Sequence, residues 1–167
     1  MMQRNESELR KVLPRFNARK LMGENIDVFH KDPAHQRNML AALKTTHRTQ
    51  IAVGTLHFGL TANPILSAKG ERIGTVVEWF DRTAEVGVEK EVASLVDAAA
   101  KGDFSERLKL EGKTGFFVGL TTGMNQLMDT SEQGLTDVAE LLAAFAEGDL
   151  THRIERDYQG LFGKVKD

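Results

Sequence analysis

Five histidines, a scatter of carboxylates and no cysteine set the chemistry open to this chain. Without cysteine there are no disulfides, thiolate nucleophiles or thiolate metal sites. Imidazole is then the strongest metal ligand left. His30 and His35 stand five residues apart, about 140° around a helix, which is not the spacing of a chelating pair. His47, His57 and His152 have no partner at useful spacing. Glu78 and Asp81 are the nearest thing to paired carboxylates, but an odd separation sends them to opposite faces of a strand. Gly54-Thr55 and Gly70 read as turn glycines, and no Gly-x-x-x-x-Gly-Lys-Ser/Thr loop offers a phosphate cradle. No Ser-His-Asp arrangement follows from spacing, so no enzyme is expected.

The elements that would position these residues change character along the chain. From Met1 through His47, nine Lys/Arg stand against five Asp/Glu, whereas from Asp81 onward ten stand against seventeen. At the same point Gly, Phe and β-branched residues give way to Ala, Leu, Glu and Asp, which predicts a mixed α/β part followed by a helical part. In the first part, Leu9–Leu13 forms a helical turn stopped by Pro14, and Ala18–Met22 a second one closed by Gly23. Asp32-Pro33 reads as a helix start, Asp as N-cap and Pro at the first position. The helix Ala34–Leu43 follows, expected to bury Met39, Leu40 and Leu43. Alternation then predicts three strands. Ile51 and Val53 share a face; Leu56, Phe58, Leu60 and Ala62 line one face after a Gly54-Thr55 hairpin turn; Arg72–Asp81 follows a turn at Ala68-Lys69-Gly70. Ile73, Thr75, Val77 and Trp79 lie on one side of that last strand and Val76, Glu78 and Phe80 on the other, so both faces should be covered. An antiparallel meander with helices on one side is expected.

The second part repeats itself with an offset of 46 residues. Leu95, Ala98, Ala100, Gly102, Asp103 and Arg107 recur as Leu141, Ala144, Ala146, Gly148, Asp149 and Arg153. After a one-residue deletion, Gly115 and Phe117 recur as Gly160 and Phe162. Each unit reads as a helix ended by Gly-Asp, an extended connector and a second helix. Val88, Val92, Leu95 and Ala99 step by four and three, and the same spacing runs from Phe117 through Leu120, Met124, Leu127, Ser131, Gly134, Val138 and Leu141 to Phe145. That is a coiled-coil seam, weakened at Ser131 and Gly134, and a lone helix cannot bury it. Two parallel helices per chain need a second copy to close a four-helix core.

The paired connectors, Gly102-Asp-Phe-Ser-Glu-Arg-Leu108 and Gly148-Asp-Leu-Thr-His-Arg-Ile154, resemble those of tandem HAMP domains. The stretch from Gly148 to Asp167 is similar to HAMP units of bacterial methyl-accepting chemotaxis proteins. Asn25–Gln36 and Gly74–Glu85 resemble the PAS domain that precedes such units, and Asp81-Arg82-Thr83 matches the Asp-x-Thr signature that joins a PAS domain to its following helix. The resemblance implies an α+β fold, a partial PAS of short helices plus a three-stranded antiparallel sheet, followed by all-α HAMP coiled-coil units. The implied domains are 1–84, a PAS domain lacking its first strands; 85–131, a first HAMP unit; and 132–167, a second, truncated one. An internal fragment of a longer receptor is expected.

By the same resemblance to haem-binding PAS domains of oxygen-sensing chemoreceptors, His30 takes the place of the axial iron ligand. Trp79 takes that of the gas-facing hydrogen-bond donor, and Leu60 that of the distal leucine. Neutral imidazole ligates haem iron, and an indole N–H only donates. Haem b is thus the cofactor expected of the intact parent, and none is certain for this stretch alone. Coupling residues are Asp81, Arg82, Thr83, Gly102 and Gly148. The function implied is signal transduction, sensing by PAS and relay by HAMP. The expected partners are a second copy in a parallel homodimer and, in the parent, the chemotaxis kinase and coupling protein. The alternatives are a ligand-free PAS dimerisation platform, or the input module of a sensor histidine kinase or cyclic-nucleotide enzyme. A net charge of −2 argues against nucleic acid. No stretch reaches the roughly 20 apolar residues of a membrane span, and the opening MMQRNESELRK lacks a secretory core. A cytoplasmic location without membrane contact is expected.

Overall fold

The structure, a computed structural model, describes residues 1–166. It divides into two compact units, Met1–Gly87 and residues 88 onward. In the first, β1 (His47–Val53), β2 (Leu56–Leu66) and β3 (Arg72–Asp81) form an antiparallel sheet in that order. Gly54 turns the first hairpin at a φ of +62°, a conformation that needs no Cβ. At the second turn the Ser67 hydroxyl accepts from the Lys69 and Glu71 amides. Register pairs Ile51 with Phe58 and Leu60 with Trp79. The period-two face of β2 therefore becomes the core face, with Leu56, Phe58 and Ala62 buried.

Helix α1 (Glu6–Val12) lays Leu9 on this face, and Leu9, Phe16, Leu56 and Phe58 form the core. Met2, Leu13, Phe29, Ile51, Val53, Leu60 and Trp79 pack around them. The turn expected over Ala18–Met22 does not become a helix, although Gly23 closes it at a φ of +80°. A 3-10 helix, Ile26–Phe29, precedes α2 (Pro33–Ala41), which starts as expected: Pro33 leads and the Asp32 side chain accepts the His35 amide at 3.2 Å. Its apolar residues are less buried than expected. Met39 and Leu40, and Leu43 beyond the helix end at Ala41, are only half-buried, because the position one turn earlier is Gln36 and no apolar stripe develops. The far face of the sheet also departs from expectation. Phe80 is 54% and Val76 47% exposed, so among the described residues that face is largely uncovered.

In the second unit, α3 (Thr83–Ala100, which begins in the first), α4 (Phe116–Ala146) and α5 (Gly160–Lys166) are separated by extended connectors. Leu95, Leu108 and Met128 form the core, with Val92, Ala99, Phe104 and Met124 against it. Helix α4 is continuous for 31 residues, as the heptad spacing predicts. Its buried positions are Thr121, Met128 and Gly134, while Leu127 and Phe145 of the expected seam are exposed. Gly134 is not a weak point. The Phe162 ring from α5 rests on it so closely that a Cβ there would lie 2.7 Å from the ring.

Candidate functional site

Cross-strand pairing sets Leu60 directly beside Trp79 on the core face of the sheet. The Trp79 indole meets Phe58 edge to face, centroids 5.5 Å apart, and its N–H has no protein hydrogen-bond partner among the described residues. His30 follows the 3-10 helix as its C-cap, half-buried, with Nδ1 2.9 Å from the Ile26 carbonyl. A donor bond from Nδ1 to that carbonyl leaves Nε2 with its lone pair free, the tautomer a metal-ligating histidine uses. The short helix is itself held. Asn25 accepts the Asp27 amide at 3.0 Å, and Arg37 of α2 donates to Asp27. The Arg37 guanidinium holds the Asp27 carboxyl below its usual range. The sheet thus brings Leu60 and Trp79 together, and His30 comes from a separate element whose Phe29 packs on the same core. Among the described residues no cluster of three or more His, Asp or Glu could hold a metal ion by protein ligands alone.

At the exit of β3, Asp81, Arg82 and Thr83 are locked to the sheet. The Arg82 amide donates to the His57 carbonyl at 2.8 Å, and the His57 amide donates to Thr83 Oγ1 at 3.0 Å. Asp81 Oδ1 accepts the Thr83 amide at 3.1 Å, satisfying one of the orphan donors at the start of α3. Asp81 Oδ2 accepts from Asn5 Nδ2 at 2.7 Å and Arg4 Nη2 at 3.2 Å. Burial alone would raise the Asp81 pKa, but the bonds from Thr83, Asn5 and Arg4 together outweigh it and hold the carboxyl at about 2. Asn5 and Arg4 carry no sequence signal for this role, because they lie 76 and 77 residues from their acceptor.

The two connectors are built alike. Gly102 and Gly148 both have a φ of +86°. The Gly102 amide donates to Ala99 and the Asp103 amide to Ala98; Gly148 and Asp149 do the same to Phe145 and Ala144. This is the Schellman ending of a helix, which favours glycine. Asp103 Oδ1 then accepts the amide and hydroxyl of Ser105 at 3.0 and 2.6 Å, and Asp149 Oδ1 those of Thr151 at 2.8 and 2.6 Å. Those hydroxyl bonds lower both carboxyl pKa values. Arg107 caps the carbonyls of Phe104 and Glu106, and Arg153 those of Leu150 and His152. Arg107 also reaches Asp129 and Glu132 on α4, and Asn125 makes two bonds to the Leu108 backbone. The arginine pair is legible as an identity between repeats; Asn125 is not.

Three comparisons bear on this architecture. Residues 112–167 match the HAMP domain family. Over all 167 residues the chain is 52% identical to the methyl-accepting chemotaxis protein McpB of Pseudomonas aeruginosa, and it spans 25% of that relative's length. A solved structure of the Aer2 receptor from Vibrio cholerae, described as a dual PAS-heme oxygen sensor, shares 40% identity at a TM-score of 0.45, over 48% of this chain and 73% of that one. No described helix is long and apolar enough to cross a membrane. Residues 112–167 are thus similar to the HAMP domain family, and the whole chain is similar to a quarter of a methyl-accepting chemotaxis protein.

Proposed function

We propose that this chain is the sensing-and-relay segment of a chemotaxis receptor. Residues 1–84 sense a ligand or redox state, and HAMP units over 85–131 and 132–167 relay it as a change in helix packing. The observation that carries this reading is the hydrogen-bonded junction of Asp81, Arg82 and Thr83 with His57, which ties the sheet to the first residue of α3. Gly102 and Gly148 set the helix ends from which each connector departs. Relay needs two packings separated by a few kcal/mol, with a ligand favouring one. Thr121 supports such marginal packing: it is fully buried and its hydroxyl has no partner among the described residues, which costs about 1–3 kcal/mol. Exposed Val96, Leu127, Leu135, Leu142 and Phe145 support closure of the bundle by a second copy in a parallel homodimer. In the receptor, the chemotaxis kinase and its coupling protein would take the output.

The ligand this reading favours is haem b. His30 would hold the iron through Nε2, Trp79 would offer an unspent N–H donor, and Leu60 beside it would offer an apolar wall that keeps water off. When bound, the haem supplies an iron centre able to take a diatomic gas. A second reading, a ligand-free dimerisation platform, is favoured by the filling of the same sheet face with Leu9, Phe16 and Phe58.

One titration separates the two. Haem is added to the purified chain, and the Soret band is followed alongside sedimentation. A stoichiometric band lost in His30→Ala, with unchanged sedimentation as a dimer, is expected. No band in the dimeric wild type would overturn the haem reading and leave the platform; a monomer at micromolar concentration would overturn relay through a four-helix core.

A further inference from the structure

Helix α1 belongs to the core of the sheet unit, yet its contacts run from the β1–β2 turn to the exit of β3 at the same end of the sheet. Leu9 at its centre is 3% exposed and packs with Leu56 and Phe58. At its C-terminal end, Val12 fits against Gly54 so closely that a Cβ there would lie 2.9 Å from Val12 Cγ2. Glu8 accepts from Thr55 of the same hairpin turn at 3.4 Å. At its other end stands Asn5, in the N-cap position. An asparagine there ordinarily accepts an amide of the first turn, but Asn5 makes no side-chain cap. Its amide nitrogen is spent instead on Asp81 Oδ2 at 2.7 Å.

We infer that α1 is a second arm of the relay, in which Asn5 is a positioning residue that holds Asp81 and so sets where α3 begins. The Asp81 carboxylate is shared: one oxygen takes the Asn5 side chain, the other takes the amide of Thr83, the first residue of α3. Leu60 and Trp79 pack on the same cluster as Leu9. A ligand that displaces that cluster therefore moves α1, and Asn5 carries the displacement to Asp81, the last residue of β3, and from there to the start of α3. Arg4 donates to the same oxygen, but its side chain is 76% exposed, so screening leaves it a minor partner. This inference rests on the reading of α3 as the output of the sheet unit.

The test uses amide hydrogen exchange and carboxyl titration by NMR on the full chain. Asn5→Ala is expected to lower protection of the Thr83 amide by at least about tenfold, the loss of one hydrogen bond to a charged acceptor, and to move the Asp81 midpoint up from about 2. Arg4→Ala should change both much less. Asp81→Asn alone should also lose protection. The double swap Asn5→Asp with Asp81→Asn restores an amide–carboxylate bond of reversed polarity and should recover Thr83 protection, which a role in packing alone would not. Unchanged protection in Asn5→Ala, or no recovery in the swap, would overturn the inference. If Thr83 responds as expected but exchange at residues 102–115 is unaffected by either single substitution, the clamp stands and the relay reading fails.

Discussion

The two connectors of the helical unit are the same loop with different moorings. Their helix endings, aspartate–hydroxyl bonds and arginine caps match bond for bond. What anchors them does not match. The first is pinned by Leu108 packed with Leu95 and Met128, by Asn125, and by the reach of Arg107 to Asp129 and Glu132. The second is anchored by Ile154, by Tyr158 donating to Asp137 at 2.6 Å, and by Phe162 seated on Gly134. A Gly-Asp-x-Ser/Thr-x-Arg string dictates the loop because every partner lies within five residues. The mooring depends on side chains a helix away, so it can diverge while the loop stays constant.

Three experiments press on that contrast. The largest effect belongs to the identical pair Leu95 and Leu141. Leu95 is 2% exposed, whereas Leu141 is half-buried. Leu95→Ala should cost about 2–5 kcal/mol in urea unfolding, and Leu141→Ala less than half of that. Equal losses would mean that a second copy covers Leu141, which sharpens the homodimer reading. Next comes the Gly134 socket. Gly134→Ala pushes a methyl group into the Phe162 ring and should cost about 1–3 kcal/mol, with hydrogen exchange rising around Tyr158 and Phe162 and not around Leu108. A neutral result would show that the second mooring does not depend on this fit.

The smallest effect tests the shared part. Nothing lies within 4 Å of a Cβ at Gly102 or Gly148, and both have the same positive φ. Replacement by valine therefore costs only backbone strain, about 1–2 kcal/mol, and the same at both sites. Unequal costs would break the claim that the loops are equivalent.

These differences also show which parts of the molecule are legible in the sequence. The three strands are, because alternation from Leu56 to Ala62 and the turn glycines at Gly54 and Gly70 are local signals, and β3 begins and ends where alternation puts it. The long α4 is legible from sustained heptad spacing. The pairing of Leu60 with Trp79 follows from alternation once the strands are in register. The tie from His30 to Ile26 and the bond from Asn5 to Asp81 are not legible, since an imidazole tautomer and a contact across 76 residues leave no periodic trace. Gly134 misleads for a related reason: a glycine in a seam looks like a missing side chain until the ring that needs the space is seen.

The unbroken run of α4 makes it a counter of residues. At about 1.5 Å per residue its 31 residues span about 46 Å, and Met128 of the first core and Gly134 of the second mooring are carried on the same shaft. One residue inserted between them would turn the Gly134 socket by about 100° relative to Met128 and leave Phe162 without a seat. Seven inserted residues would return it to within about 20°. The angular phase between the two repeats is thus stored as an integer, the number of residues separating their anchors, and single-residue insertions in this stretch should be far less tolerated than insertion of a whole heptad.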